Sequence, residues 1–305
     1  MFSFITGRLV VSLLVLFTVS LVGFSLLRVS GDLAATLAGE NASRAQIEEL
    51  RRNLGLDRSL LVQYFDWLGT ALRGDLGVSF FTQERVTSLF LNRIGTTLIL
   101  ALGGLVLSIL ISLPLGMLAA WRPNSWLDRL ISVISLSGQA MPGFWLALLM
   151  ISFFGVTLRW LPISGSSTPA HFVMPMLVLA IGAIPVLTRM TRSGMLEVLE
   201  QDYIRTARAK GLLSFQVMSK HALLNALLPI VSLAAVQLGT LLGGSVIVET
   251  VFAIDGIGLL TYRSILRGDF PVVQAMLMFV SMSYILLTLL ADIFNSWLDP
   301  RMRLE

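Results

Sequence analysis

The 305-residue chain contains no cysteine, which excludes disulfide frameworks, thiol nucleophiles and thiolate metal sites. Charge is scarce as well, at 13% of residues, where an average globular chain carries about 25%. Lysine occurs only at Lys210 and Lys220. The loop that cradles nucleotide phosphates, G-x-x-x-x-G-K-[ST], needs a lysine preceded by glycine and followed by Ser or Thr. Here the two lysines are followed by Gly211 and His221, so no such loop exists and any ATP and Mg must be bound elsewhere. No nucleophile–base arrangement stands out. The chain is therefore expected to be no enzyme in its own right, with no catalytic, metal or cofactor-binding residues of its own.

What fills the chain instead is apolar sequence. Hydrophobic residues make up 55%, and the mean hydropathy is +0.83. Six stretches run without Asp, Glu, Lys or Arg: 19 residues between Arg8 and Arg28, 28 between Arg93 and Arg122, and 29 between Arg129 and Arg159. The others are 29 between Arg159 and Arg189, 28 between Lys220 and Glu249, and 22 between Asp269 and Asp292. Each meets or approaches the roughly 20 residues a helix needs to cross a hydrocarbon core about 30 Å thick. Barrel strands of about 10 alternating residues are not seen. The expected fold is an all-α integral membrane protein with six transmembrane helices.

Basic residues set the orientation. With the N-terminus in the cytoplasm, the inner segments hold Arg8, Arg122, Arg129, Arg189, Arg192, Arg205, Arg208, Lys210, Lys220, Arg301 and Arg303. The short outer loops hold only Arg159, Arg263 and Arg267. Both termini are thus expected to be cytoplasmic. His171 and His221 then fall on opposite sides and cannot share a metal. A net charge of +4 confined to short loops points to orientation beside membrane lipid and gives no sign of nucleic-acid binding.

The chain divides into residues 1–28 (N-terminus and first span), an extracytoplasmic helical loop at 29–93, and a core at 94–305. The first run, Leu9 to Leu27, exceeds the 7–15 residues of a signal-peptide core, although small residues near Thr36 and Ala38 offer a weak cleavage-like site. In the loop, Ser43-Arg44-Ala45-Gln46 reads as a capping box, and Leu60, Leu61, Tyr64, Phe65, Leu68 and Leu72 share one helical face. Pro114, Pro142, Pro175 and Pro185 bend or break the spans. Ser135, Ser137, Gly138, Gln139 and Gly143 give the third span a small, polar face that either packs closely or lines a wet path. Path-lining candidates, singled out on local polarity alone, are Gln139, Met141, Gln237 and Ser245. Gly239 and Gly243 form a small-xxx-small contact pattern. Glu249 and Asp255 are outward acids, either solvated, salt-bridged or facing a cationic substrate, and Asp269 is placed in the same extracytoplasmic loop. Gly256 and Gly258 permit a sharp turn before a short amphipathic helix at Leu259 to Leu266. Asp292 is the one acid inside an apolar run, within two turns of Asp299-Pro300-Arg301.

One polar stretch interrupts the membrane sequence within a loop at about 190–221. In it Asp202 is a candidate N-cap and Tyr203 to Lys210 runs without a breaker. Gly211 stands where a helix favours a left-handed residue, and Ser214 is placed to cap a second short helix. On its own this reads equally as a solvated basic loop. The segment EQDYIRTARAKGLLSFQVMSKHALLNALLP, however, resembles the cytoplasmic loop by which ABC-importer permeases engage their ATPases. It is most similar to the dipeptide, oligopeptide and nickel permeases. Two further stretches, LGLDRSLLVQYFDWLGTALRGDLGVSF and ETVFAIDGIGLLTYRSILRGDFPVVQ, resemble extracytoplasmic loops of the same family. Departures occur at Gly31-Asp32-Leu33, where Gly-Asp-Pro is common, and at Ile254-Asp255, where Trp-Pro is usual.

The resemblance implies a permease subunit in the bacterial inner membrane. Its partners would be a second similar permease, two cytoplasmic ATPases and an extracytoplasmic solute-binding protein. It assigns ATPase coupling to Asp202, Tyr203, Arg205, Thr206, Ala207, Arg208, Lys210 and Gly211. The implied cargo is a peptide, nickel or a metal chelate. The competing class is a gradient-driven secondary transporter or channel. Those place ionisable residues at the bilayer midplane, whereas the midplanes of the six runs look uncharged.

Overall fold

Long apolar runs become long helices, because in hydrocarbon every backbone amide must be satisfied within its own segment. The computed structural model describes residues 2–29, 32–39 and 41–298. Among these it holds thirteen α-helices and no named β-strand. Arg301 and Arg303, Asp299-Pro300-Arg301 and Gly31, all named above, lie outside the described residues, as does the side chain of Asp292.

Five helices are long and apolar enough to span a membrane, and the count reaches six if one bent pair is a single span. The bent pair is the expected third span. It consists of α6 (Trp126–Ala140) and α7 (Gly143–Met150), the latter continued by a π-helical turn, Ile151–Thr157. The two pieces meet at 97°. The cause is local. Pro142 has no amide hydrogen, and Met141 before it is driven to an extended conformation (φ −88°, ψ 128°) that ends α6.

The chain forms two compact units. The first comprises residues Met1–Gly95 with Gly256–Ile285. It contains α1 (Phe2–Val29), α2 (Leu33–Ala38), α3 (Arg44–Asn53), α4 (Leu60–Ala71) and the start of α5 (Val86–Trp121). Tyr64 fixes α4 to α1: its side chain is fully buried and its hydroxyl lies 2.7 Å from Ser20 Oγ. Phe17 and Phe24 meet its ring edge to face at 5.9 and 5.6 Å. The Ser43 capping box forms as expected, with Gln46 N donating to Ser43 Oγ and Ser43 N donating to Gln46 Oε1.

The other unit comprises Thr96–Asp255 with Leu286–Glu305. Here α8 (Ala170–Leu199) is the central helix and packs against α6, α7 and α11 (Leu223–Val251). Leu100, Met174, Leu187, Phe252 and Ile254 are buried in its main core. A Cβ at Gly116 of α5 would lie 2.5 Å from Thr191 Cβ of α8, so the two helices approach through the missing side chain.

The turn that follows α11 differs from the expectation. Gly256 is extended (φ −116°, ψ −177°) and Gly258 lies inside the next helix, α12 (Ile257–Arg267). The left-handed residues are Ala253 (φ 49°) before it and Gly268 (φ 68°), which terminates it. The reversal was misplaced because an alanine, which carries no turn signal, takes the strained conformation.

Candidate functional site

The polar segment after α8 folds into α9 (Asp202–Ala209), the three-residue α10 (Ser214–Gln216) and a π-helical turn at Val217–Ala222. Two expected caps are corrected. Gln201 occupies the N-cap of α9, and Asp202 is its first helical residue, where a carboxylate still favours the positive end of the helix dipole. Leu213, rather than Ser214, precedes α10. The other end forms as the sequence suggests. Gly211 takes φ +78°, its N–H donates to the Arg208 carbonyl at 3.0 Å, and Leu212 N–H donates to the Ala207 carbonyl at 3.4 Å. That is the paired-bond stop a left-handed glycine makes possible.

An eight-residue helix does not hold together alone in water. What fixes α9 is its inner face. Ile204 is fully buried and Ala207 nearly so, in a cluster with Met195 of α8, Val217, Met218 and Ala222 of the π-turn, and Ala226 of α11. The outer face is exposed and carries Tyr203, Arg205, Arg208 and Lys210. The Asp202–Arg205 pair, at 3.3 Å, is almost fully solvated and contributes little. Beyond Gly211, Leu213 and Phe215 are 69% and 76% exposed. Both are apolar and stand beside the cationic face of α9. Sequence reasoning stopped at Gly211 and missed these two. Their signal was an apolar pair outside any helical repeat.

The path candidates separate. Gln139, near the end of α6, lines a cavity of about 320 Å³ between α6 and α8, together with Ser132, Ser135, Pro185, Thr188, Arg189 and Arg192. Met141 sits at the α6–α7 break. Gln237 is half-buried on α11, and Ser245, on the same helix, is fully buried with its hydroxyl donating to the Leu242 carbonyl at 2.8 Å. At the far end of α6 from Gln139, Asp128 accepts two short bonds from Arg192, Nε to Oδ1 and Nη2 to Oδ2, both 2.7 Å. This bidentate pair ties α6 to α8, and Asn124 N–H adds a third bond to Asp128 at 2.9 Å.

Two of the three acids are not solvent-facing. Glu249 lies within α11, fully buried, and accepts a hydrogen bond from Thr97 Oγ1 at 2.8 Å. Asp269 stands between α12 and α13 (Phe270–Leu298), buried, accepting from Ser79 Oγ at 2.5 Å and Phe80 N–H at 3.1 Å. Both acids accept hydrogen bonds from within their own compact unit. Asp255 is exposed. Among the described residues no group of three or more His, Cys, Asp or Glu is placed to hold a metal ion.

Comparison with known proteins identifies the class. Residues 112–304 match the family described as "Binding-protein-dependent transport system inner membrane component", and residues 1–101 match its N-terminal companion. The chain belongs to this family and is a multi-pass permease of the bacterial inner membrane. It is 37% identical, over 99% of both chains, to the glutathione transport system permease protein GsiC of Escherichia coli. It is equally similar, over 98% of this chain and 99% of its relative, to a probable peptide ABC transporter permease of Sinorhizobium fredii. Among solved structures, an inward-facing form of the MetNI methionine ABC transporter aligns with a TM-score of 0.60 at 25% identity. That alignment covers 70% of this chain and 97% of the other.

Proposed function

We propose that this chain is one of two similar permease subunits of an ATP-driven peptide importer, with both termini in the cytoplasm. Two cytoplasmic ATPases bind and hydrolyse ATP with Mg, and an extracytoplasmic solute-binding protein delivers the cargo. Peptide is the substrate class because the relatives above carry peptide and glutathione in their names. Nickel and metal chelates draw no support from those names. The observation that carries the coupling role is α9: a short helix seated by Ile204 and Ala207, with its cationic face and the Leu213–Phe215 pair left outward.

The mechanism follows from that seating. ATP binding draws the two ATPases together and displaces the surface that holds Tyr203, Arg205, Arg208 and Phe215. Since α9 shares one apolar cluster with Met195 of α8 and Ala226 of α11, its displacement drags those two helices rather than sliding over them. The packed helices then rock as a body from an inward-open to an outward-open state, and hydrolysis resets them. The binding protein releases its ligand into the opened path.

The test is purification in mild detergent with a C-terminal tag, comparing the wild type with Gly211→Pro. Proline cannot adopt φ +78° and lacks the amide bonded to Arg208. The expected result is that the variant still inserts but loses its ATPases and peptide uptake. A chain that purifies alone, and drives uptake from an ion gradient without ATP, would overturn the proposal.

A further inference from the structure

Two hydroxyls in the α6–α8 cavity stand apart from the other polar groups of the helices around it. Ser135 and Thr188 are 7% and 4% exposed, and neither Ser135 Oγ nor Thr188 Oγ1 has a hydrogen-bond partner among the described residues. Serine and threonine in helices ordinarily return their hydroxyl to a carbonyl one turn back, as Ser108, Ser112, Thr191 and Ser245 all do in this unit. A buried hydroxyl with no bond costs free energy, and these two line the same cavity.

The charge at that cavity is also unbalanced. Arg192 is matched by Asp128 in a bidentate pair, which satisfies one carboxylate with one guanidinium. Arg189, one turn earlier on α8, lines the cavity from an exposed position and has no acidic partner among the described residues. Gln139, also exposed, adds an amide at the cavity's edge. The free donor set is thus one guanidinium, two hydroxyls and an amide N–H, against a wall of Ala119, Leu136 and Pro185. A planar monoanion with an apolar neighbour satisfies it, since guanidinium recognises carboxylate through paired N–H bonds. The volume of about 320 Å³ lies at the lower end of small-molecule sites.

We infer that the α6–α8 cavity is a carboxylate subsite that holds the C-terminal carboxylate of a peptide in transit, with Arg189 as the charge partner and Ser135, Thr188 and Gln139 as hydrogen-bond donors. This rests on the peptide-importer reading and assigns it a recognition point inside the permease, separate from the binding protein.

The test uses the complete permease–ATPase complex in nanodiscs without ATP or binding protein, so that selection by the binding protein does not enter. Equilibrium dialysis compares trialanine with trialanine amide. The site predicts at least tenfold weaker binding of the amide. Arg189→Gln should lose at least tenfold for trialanine and nothing for the amide, and Arg189→Lys should recover part of the loss. Should Arg189→Gln fail to assemble with its ATPases, the near-isosteric pair Ser135→Ala with Thr188→Val takes its place and should weaken trialanine several-fold. Equal binding of the two peptides, or full binding by Arg189→Gln, overturns the subsite. An anionic lipid that co-purifies with the wild type and is missing from Arg189→Gln overturns it in favour of a lipid phosphate. Uptake by wild-type proteoliposomes separates this from the broader reading. Peptide uptake with no carboxylate preference in dialysis removes the subsite alone, whereas no uptake of any peptide removes the importer assignment with it.

Discussion

Replacing Ile204 with alanine tests whether α9 is held by its apolar face. Ile204 is fully buried, and only Ala207 shares its contacts on the helix. Removing a buried isoleucine side chain down to Cβ costs about 2–5 kcal/mol. The lower part of that range applies, because α9 is a surface helix whose surroundings can close over the gap. Nothing intrinsic resists the loss, since α9 has eight residues, its N-cap Gln201 makes no side-chain cap bond, and its one ion pair is solvated. A cost of about 2 kcal/mol therefore falls almost wholly on local opening and raises its equilibrium constant about 30-fold. Hydrogen exchange read by mass spectrometry on the purified protein in detergent should show amides of 204–210 exchanging about 30-fold faster. Peptides from α8 and from α11 beyond Ala226 should stay unchanged. ATPase co-purification should fall in parallel. If the α9 amides keep wild-type protection while ATPase binding is lost, the side chain acts by direct contact, and the account of a helix seated by Ile204 is wrong.

Two other perturbations address the ties between helices. Asp128→Asn leaves the partly buried Arg192 without its counter-charge, and by the usual cost of breaking such a pair it should destabilise the protein by about 2–4 kcal/mol. In a double-mutant cycle with Arg192→Gln, reversible unfolding in mixed micelles should return a coupling of at least about 1 kcal/mol, and a coupling near zero would refute the pair. Asp269→Ala strands the buried Ser79 hydroxyl and the Phe80 amide, at about 1–3 kcal/mol. Limited proteolysis should then cut first within residues 75–85, and an unchanged cleavage pattern would argue against Asp269 holding that segment.

How much of the site was legible depended on whether its signal was local. Gly211 was readable because only the backbone of its own turn decides its conformation. Ser43 and Gln46 were readable because a capping box closes within four residues. Asp202 was misassigned by one position, since by residue type it is the better cap, whereas α9 is placed by the burial of Ile204 and starts after an uncapped Gln201. The burial of Glu249, expected as an outward acid, and of Asp269, expected in the same loop, was hidden for a different reason. Their partners, Thr97 and Ser79, are far off in sequence, so no spacing announces that either acid is buried and bonded.

The sequence alone determined that this is a helical membrane protein and that it lacks the glycine–lysine loop that cradles nucleotide phosphates. Those conclusions rest on run length, charge scarcity and a missing lysine motif, none of which needs a contact. It also marked the polar loop that becomes α9, because charge within an apolar chain is visible at once. Only the tertiary structure decided that the stretch expected as the third span is two helices meeting at 97°, that α9 is seated by Ile204 and Ala207, and that Ser135, Thr188 and Arg189 line one cavity. The reason is physical: helical periodicity fixes which residues share a face, whereas which faces meet is set by packing between α6, α8 and α11, and that packing joins residues far apart in the chain.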